Sequence, residues 1–172
     1  IHINHQLQTE ADEWQKHCQN QCSLWDIECV VERVNLKDDS ENTARNARRS
    51  AFKKHLHNNE TLLTAHHQQD QIETVLFRLF RGTGVKGLGG IKKDSYLSTK
   101  QFINRPLLGL TKVHITTYLH EHQLDWVLDP SNKKDKYSRN FIRNRLLPEI
   151  SAYSPKAQYM IGSTAEHLQN SH

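Results

Sequence analysis

Two histidines and two carboxylates crowd into one short stretch, residues 65–84, AHHQQDQIETVLFRLFRGTG. Asp70 and Glu73 are three apart, so on a helix both project from its first turn, on the solvent side and away from the apolar stripe. Two carboxylates placed there suit an ammonium group or a metal cation. Equally, acids in a first turn complement the helix dipole, worth about 0.3–1 kcal/mol each. His66 and His67 point in different directions if the preceding strand continues, and no matching ligand pair stands elsewhere, so no zinc site is expected. A second stretch, SNKKDKYSRNFIRNR (residues 131–145), sets Asn132, Arg139 and Asn140 close in sequence. Arginine's planar fork of donors suits a carboxylate or a phosphate. At the head of a helix Arg139 opposes the dipole, which is unfavourable unless an anion is near. The plainer alternative is a surface arginine paired with Asp129 or Asp135.

These groups need elements to hold them. TLLTA (residues 61–65) is short, apolar and bounded by polar residues, and reads as a buried strand. Ile72, Val75, Leu76, Leu79 and Phe80 then fall on one face of a helix over 70–81, stopped by Gly82 and Gly84. A strand running into a helix, with polar groups at the junction, is where open α/β sheets place ligands. Upstream, strands are expected over 1–4 and 28–34 and helices over 11–25 and 41–57. Downstream come a Gly/Lys loop to about 95, an extended segment over 96–104, and a helix over 112–123 capped by Thr111. A polar loop over 129–136 leads to a helix over 139–146, capped by Ser138 and ended by Pro148, and a last helix spans 154–169. The alternation predicts an α/β fold, a Rossmann-like parallel sheet with helices on both faces, followed by a small helical segment.

Composition sets bounds. The chain of 172 residues is 35% hydrophobic with a mean hydropathy of −0.79, enough for one domain or slightly more. Three cysteines, Cys18, Cys22 and Cys29, are an odd count without secretory features, so free thiols are expected. No apolar run approaches about 18 residues and residues 1–8 are no signal peptide, so a cytoplasmic protein without a membrane partner is expected. Charge is uneven: residues 1–74 hold 8 Lys/Arg against 12 Asp/Glu, whereas residues 75–148 hold 14 against 5. A basic block of this kind is the footprint of a nucleic-acid or phosphate partner, or an ordinary solvated face.

Taken whole, AHHQQDQIET resembles the AHHxDDQxET signature of the tRNA(Ile)-lysidine synthetases, ATP-pyrophosphatases of the PP-loop type. The resemblance continues through RGTG (residues 81–84), KGLGGI (86–91), RPLL (105–108) and DPSNKKDKYSRNFIRNRLLPEI (129–150). IHINHQLQTEADEWQKHC and ENTARNARRSAF are similar to the family's second strand and helix and to its ExxARxxRYxxF helix, so about 1–150 is covered in order. The family's SGGxDS loop, which cradles the ATP phosphates, has no counterpart among the seven glycines. The sequence is expected to start after that loop; the alternative is a protein that does not grip ATP in the family's way. Gln69 replaces the first acid of DDQ and loses its charge. Gln6 replaces the glycine of an NHG turn, and Arg49 an aromatic.

The resemblance implies a PP-loop ATPase domain over 1–108 and a helical extension over 109–172 completing the substrate site. It implies ATP-dependent ligation of L-lysine to C2 of the wobble cytidine of a CAU-anticodon tRNA(Ile), through an adenylated RNA, with Mg²⁺ offsetting triphosphate charge. Asp70, Glu73 and His66 would be catalytic, and Arg139, Asn132 and Asn140 would bind the amino acid. His66, Arg105, Gly82 and Gly84 would meet the nucleotide, and Lys86, Lys92, Lys93, Lys133 and Lys134 the RNA. No metal-ligating residue is assigned, and a homodimer is left open. Two rivals stand: another PP-loop enzyme such as a tRNA thiolase, which would want CxxC pairs, and a non-catalytic RNA-binding relative.

Overall fold

The computed structural model describes residues 1–38, 40–134 and 138–171, with only the backbone of Lys133. The chain divides into two compact units, Ile1–Leu62 with Tyr96–Phe102, and Leu63–Ser95 with Ile103–His172. The units do not follow the expected 1–108 and 109–172 segments, because the helix carrying Asp70 shares one core with helices after residue 138.

In the first unit β1 (His2–Asn4) pairs in parallel with β2 (Val31–Arg33), His2 opposite Val31 and Asn4 opposite Arg33. α1 (Ala11–Leu24) makes the crossover a parallel pair requires. Asn4 is buried and ties the strand to α1, its amide donating to Asp12 Oδ1 at 2.9 Å and Gln15 Oε1 at 3.1 Å. Its own Oδ1 accepts the Gln6 N–H at 2.9 Å, holding Gln6 at φ +53°, the left-handed region that glycine fills without strain. α2 (Glu41–His55) starts on Ser40, whose Oγ accepts the Thr43 N–H at 3.2 Å. The three cysteines are free.

A three-stranded sheet has the order β3 (Thr61–Leu63), β5 (Gln101–Asn104), β4 (Asp94–Ser98). Phe102 N–H donates to the Glu60 carbonyl and Thr64 N–H to the Asn104 carbonyl, both at 3.1 Å, so β3 and β5 run parallel. The segment expected to be simply extended is instead the hairpin β4–β5, turned at Thr99 and Lys100. The strand expected to be buried is an edge strand, covered on one side only, and Leu63 is 66% exposed.

In the second unit α3 (Gln68–Phe80) lays Ile72 and Leu76 against Ile142 and Leu147, with Phe77, Leu146, Ile150 and Ile161 closing around them. That core stops at Phe77, so the predicted apolar stripe runs past its partners and leaves Leu79 and Phe80 exposed. α4 (Val85–Leu88) is a single turn, and α5 (Lys112–Glu121) starts on Thr111, whose Oγ1 accepts the His114 N–H at 3.2 Å. A 3-10 turn over Pro130–Lys133 precedes α6 (Ser138–Phe141), a π-helical turn over Ile142–Leu146, α7 (Leu147–Tyr153) and α8 (Ala157–Asn170). Ser138 is itself helical rather than the cap. Pro148 does not end the helix: the wider π turn, closed by Leu147 N–H on the Ile142 carbonyl, carries the chain past a residue that lacks an N–H.

Candidate functional site

The polar end of α3 is built by its cap. His67 Nδ1 accepts the Gln69 N–H at 3.2 Å, and Asp70 Oδ2 accepts the His67 N–H at 2.9 Å, the reciprocal arrangement that closes a first turn. Asp70 is therefore partly spent on the backbone, while His67 Nε2 stands 3.7 Å from the same oxygen.

Glu73 lies on the core side of α3, not on the solvent side, and its side chain is wholly buried. Arg143, from the π turn, meets it with a two-pronged fork, Nε to Oε1 at 2.6 Å and Nη2 to Oε2 at 2.9 Å. Nη2 also stands 3.8 Å from Asp70 Oδ1, so one guanidinium faces two carboxylates and the trio keeps one negative charge. The bonds from Glu73 hold the Arg143 pKa above its ordinary value against the opposing effect of burial. Arg143 Nη1 reaches Asn132 Oδ1 at 3.3 Å, and the Asn144 amide donates to the Asn132 carbonyl at 2.9 Å. Asn140, buried, donates to the carbonyls of Ser131 at 2.9 Å and Lys134 at 2.8 Å, and so fixes the loop that carries Asn132.

Arg139, one turn before Arg143, stands over the Phe77 ring at 6.0 Å, one turn along α3 from Glu73. His66 follows the end of β3, its Nδ1 2.9 Å from Thr64 Oγ1. Arg105 straps the 92–95 loop, donating to the Lys92 carbonyl at 2.7 Å and Ser95 Oγ at 3.0 Å. Gly82 takes φ +70°, Gly84 caps α4, and a side chain at either would meet nothing within 4 Å. Lys86, Lys92, Lys93 and Lys134 are exposed, whereas the Lys133 side chain, Asp135 and Lys136 lie outside the described residues.

Asp70, Glu73 and Asn132 are thus brought together with a residue not anticipated, Arg143. The signal was present: Glu73 sits beside Ile72 and one turn before Leu76 and Phe77, so a slightly wider apolar stripe already takes it in and demands a cation. Nor were Gln71 and Arg78 anticipated. Gln71 donates to the Ile91 carbonyl at 3.2 Å and accepts the Ile91 N–H at 2.5 Å, while Arg78 donates to the carbonyls of Gly87 and Gly90 at 2.9 and 2.8 Å. Together they pin the glycine-rich loop to α3. Among the described residues no three His, Cys, Asp or Glu side chains converge on a metal position.

Known proteins are similar to this chain in sequence and in fold. The chain is 42% identical over 169 residues to the tRNA(Ile)-lysidine synthase of Haemophilus influenzae strain PittGG, a match covering 97% of this chain and 39% of that protein. It is 40% identical over 171 residues to the tRNA(Ile)-lysidine synthase of Pseudomonas aeruginosa PAO1, covering 98% and 38%. The chain thus spans about two fifths of the length of these relatives. In fold it is similar to the U34-tRNA thiolase NcsA from Methanococcus maripaludis, with a TM-score of 0.66 at 16% identity over 96% of this chain and 59% of that one. The family model described as PP-loop domain matches residues 1–150. With parallel α/β pairing, the capped acidic helix and this match across most of its length, the chain belongs to the PP-loop domain family.

Proposed function

We propose that this chain is part of an enzyme that uses ATP to join L-lysine to C2 of the wobble cytidine of a CAU-anticodon tRNA(Ile). The observation that carries the reading is the 42% identity to a tRNA(Ile)-lysidine synthase over 169 residues, which include both halves of the α3–Arg143 site. In the reaction AMP is placed on the C2 oxygen with loss of pyrophosphate, and the lysine ε-amine then attacks C2 and displaces AMP.

The geometry suggests a division of labour. Asp70, the less committed carboxylate, attracts an ammonium group of lysine, and the net negative charge of the trio favours a cation there. Arg139 takes the amino acid's carboxylate with its planar fork. Glu73 acts through Arg143 as a positioning residue, and Asn132 and Asn140 shape the same wall. The attacking amine must be neutral, so it needs a base or a dry pocket to lower its pKa. His66, just past the end of β3, stands at the strand end where open α/β sheets place a nucleotide. Gly82 and Gly84 stand beyond the opposite end of the 13-residue α3, about 20 Å along the helix, so they are not brought together with His66, and Arg105 shapes the loop over 92–95. The phosphate-cradling SGGxDS loop of the family pattern has no counterpart in this sequence.

Pyrophosphate release by the protein expressed from its natural gene tests this. With ATP, Mg²⁺, lysine and the CAU tRNA transcript, release is expected, and it is expected to vanish when the wobble cytidine is changed to uridine. Tight tRNA binding without release would overturn the ligase reading in favour of a non-catalytic RNA-binding relative.

A further inference from the structure

The last turn of α3 ends in an unusual surface. Leu79 and Phe80 are 52% and 63% exposed, and Val85, just beyond, is 50% exposed. Between them Arg81 lays its guanidinium 5.2 Å from the centre of the Phe77 ring and makes no ion pair among the described residues. Lys86 is exposed on the next turn. Gly82 and Gly84 separate these residues, and among the described residues neither position has a neighbour within 4 Å of where a side chain would begin.

An exposed aromatic beside a pre-oriented guanidinium is the pairing that single-stranded nucleic acid requires, a face for a base and a cation for the phosphate that follows it. An apolar protein partner would cover Phe80 and Leu79 but would also have to desolvate Lys86, a residue type that interfaces are depleted of. The surrounding sequence agrees with a polyanion, since residues 75–148 hold 14 basic side chains against 5 acidic. Stacking on Phe77 limits the rotamers of Arg81, so contacting a phosphate costs less entropy than for a free side chain.

We propose that the exposed end of α3 is a contact for a single-stranded RNA loop, with Phe80 stacking a base and Arg81 binding a backbone phosphate. The proposal rests on the tRNA-modifying reading above and adds to it where the RNA is held, outside the acidic site.

The test is the affinity of the protein expressed from its natural gene for the CAU tRNA transcript, measured by anisotropy across a salt series. Phe80→Ala is expected to weaken binding roughly tenfold with no change in salt slope, because stacking releases no counterion. Arg81→Ala is expected to lower the slope of log K against log salt by about 0.7, the signature of one lost single-strand phosphate. Arg81→Lys is expected to keep that slope, since it keeps the charge. Unchanged affinity and slope in Phe80→Ala and Arg81→Ala overturns the proposal, as does a change in oligomeric state without a change in RNA binding. If the unaltered protein binds tRNA with these dependences yet releases no pyrophosphate, the ligase reading fails and the RNA contact stands. If it binds no RNA, both fail.

Discussion

Glu73 has no exposed surface, yet it is a carboxylate, and its position is tenable only because Arg143 satisfies both oxygens at once. A buried pair of this kind is worth little compared with an apolar replacement, but breaking one half strands the other. Glu73→Gln is therefore expected to destabilise the protein by about 3–5 kcal/mol, whereas Glu73→Leu with Arg143→Met recovers most of the loss. Urea unfolding of the three proteins checks this, and equal destabilisation of the single and double variants would show that Arg143 is not the reason Glu73 is tolerated. The same pair bears on function. If Glu73 only positions Arg143, the double variant regains stability without regaining the wall beside Asp70 and Asn132. Its KM for lysine then stays raised while its fold is sound.

At the scale of elements, α3 is less a helix with a site at its tip than a post to which a loop is tied. Gln71 is buried and meets the Ile91 N–H and carbonyl, Arg78 holds two more carbonyls, and Gln169 of α8 donates to the carbonyls of Gly89 and Ile91. Gly90 takes φ +65°, and a side chain there would come within 2.6 Å of the Gln71 amide oxygen, so the position suits glycine on both counts. Gln71→Leu leaves the Ile91 N–H without its acceptor at a cost of about 1–3 kcal/mol. Hydrogen exchange at Ile91 is expected to quicken in that variant, with the amides of α1 unaffected; unchanged exchange would mean that Gln169 alone holds the loop. The periodicity of α3 and the Thr111 cap of α5 were legible in the sequence because they depend on neighbours three or four residues away. Other features were not. Arg143 reaches Glu73 across 70 residues, the π turn accommodates Pro148 only within a packed helix, and the exposure of Phe80 depends on where its partners stop. Long-range pairing decides these, and no local pattern encodes it. Within the AHHQQDQIET string it is packing that separates the two carboxylates, burying Glu73 against Arg143 and leaving Asp70 on the helix cap.

Across the whole molecule, acid sensitivity follows from which groups are held away from their ordinary ionisation. Burial, first, and then Arg48 and His2 lower the pKa of His5 below its ordinary 6.5, and its Nδ1 is buried with no hydrogen-bond partner among the described residues. Burial lowers that of His2 as well. The unfolded chain therefore binds protons at these rings before the folded one does. Their stabilisation is complete above pH 6.5 and is lost as pH falls from there through the lowered folded values. Glu32 adds a second, more acidic step: the bonds from Lys54 at 2.8 and 3.0 Å, and then from His55 at 2.7 Å, hold its carboxyl below its ordinary 4.5. Protons again go first to the unfolded chain, so this stabilisation is present above pH 4.5 and is lost as pH falls through the folded value. The urea midpoint is expected to fall in two stages on acidification, His5→Asn reducing the first and Glu32→Gln the second. A midpoint that stays level between pH 7 and pH 5 would show that the rings of His2 and His5 are hydrated when folded. The residues concerned all belong to the β1–β2 unit. Acid should therefore loosen that unit, and exchange protection lost from Ile3 and Glu32 as pH falls is the outcome expected.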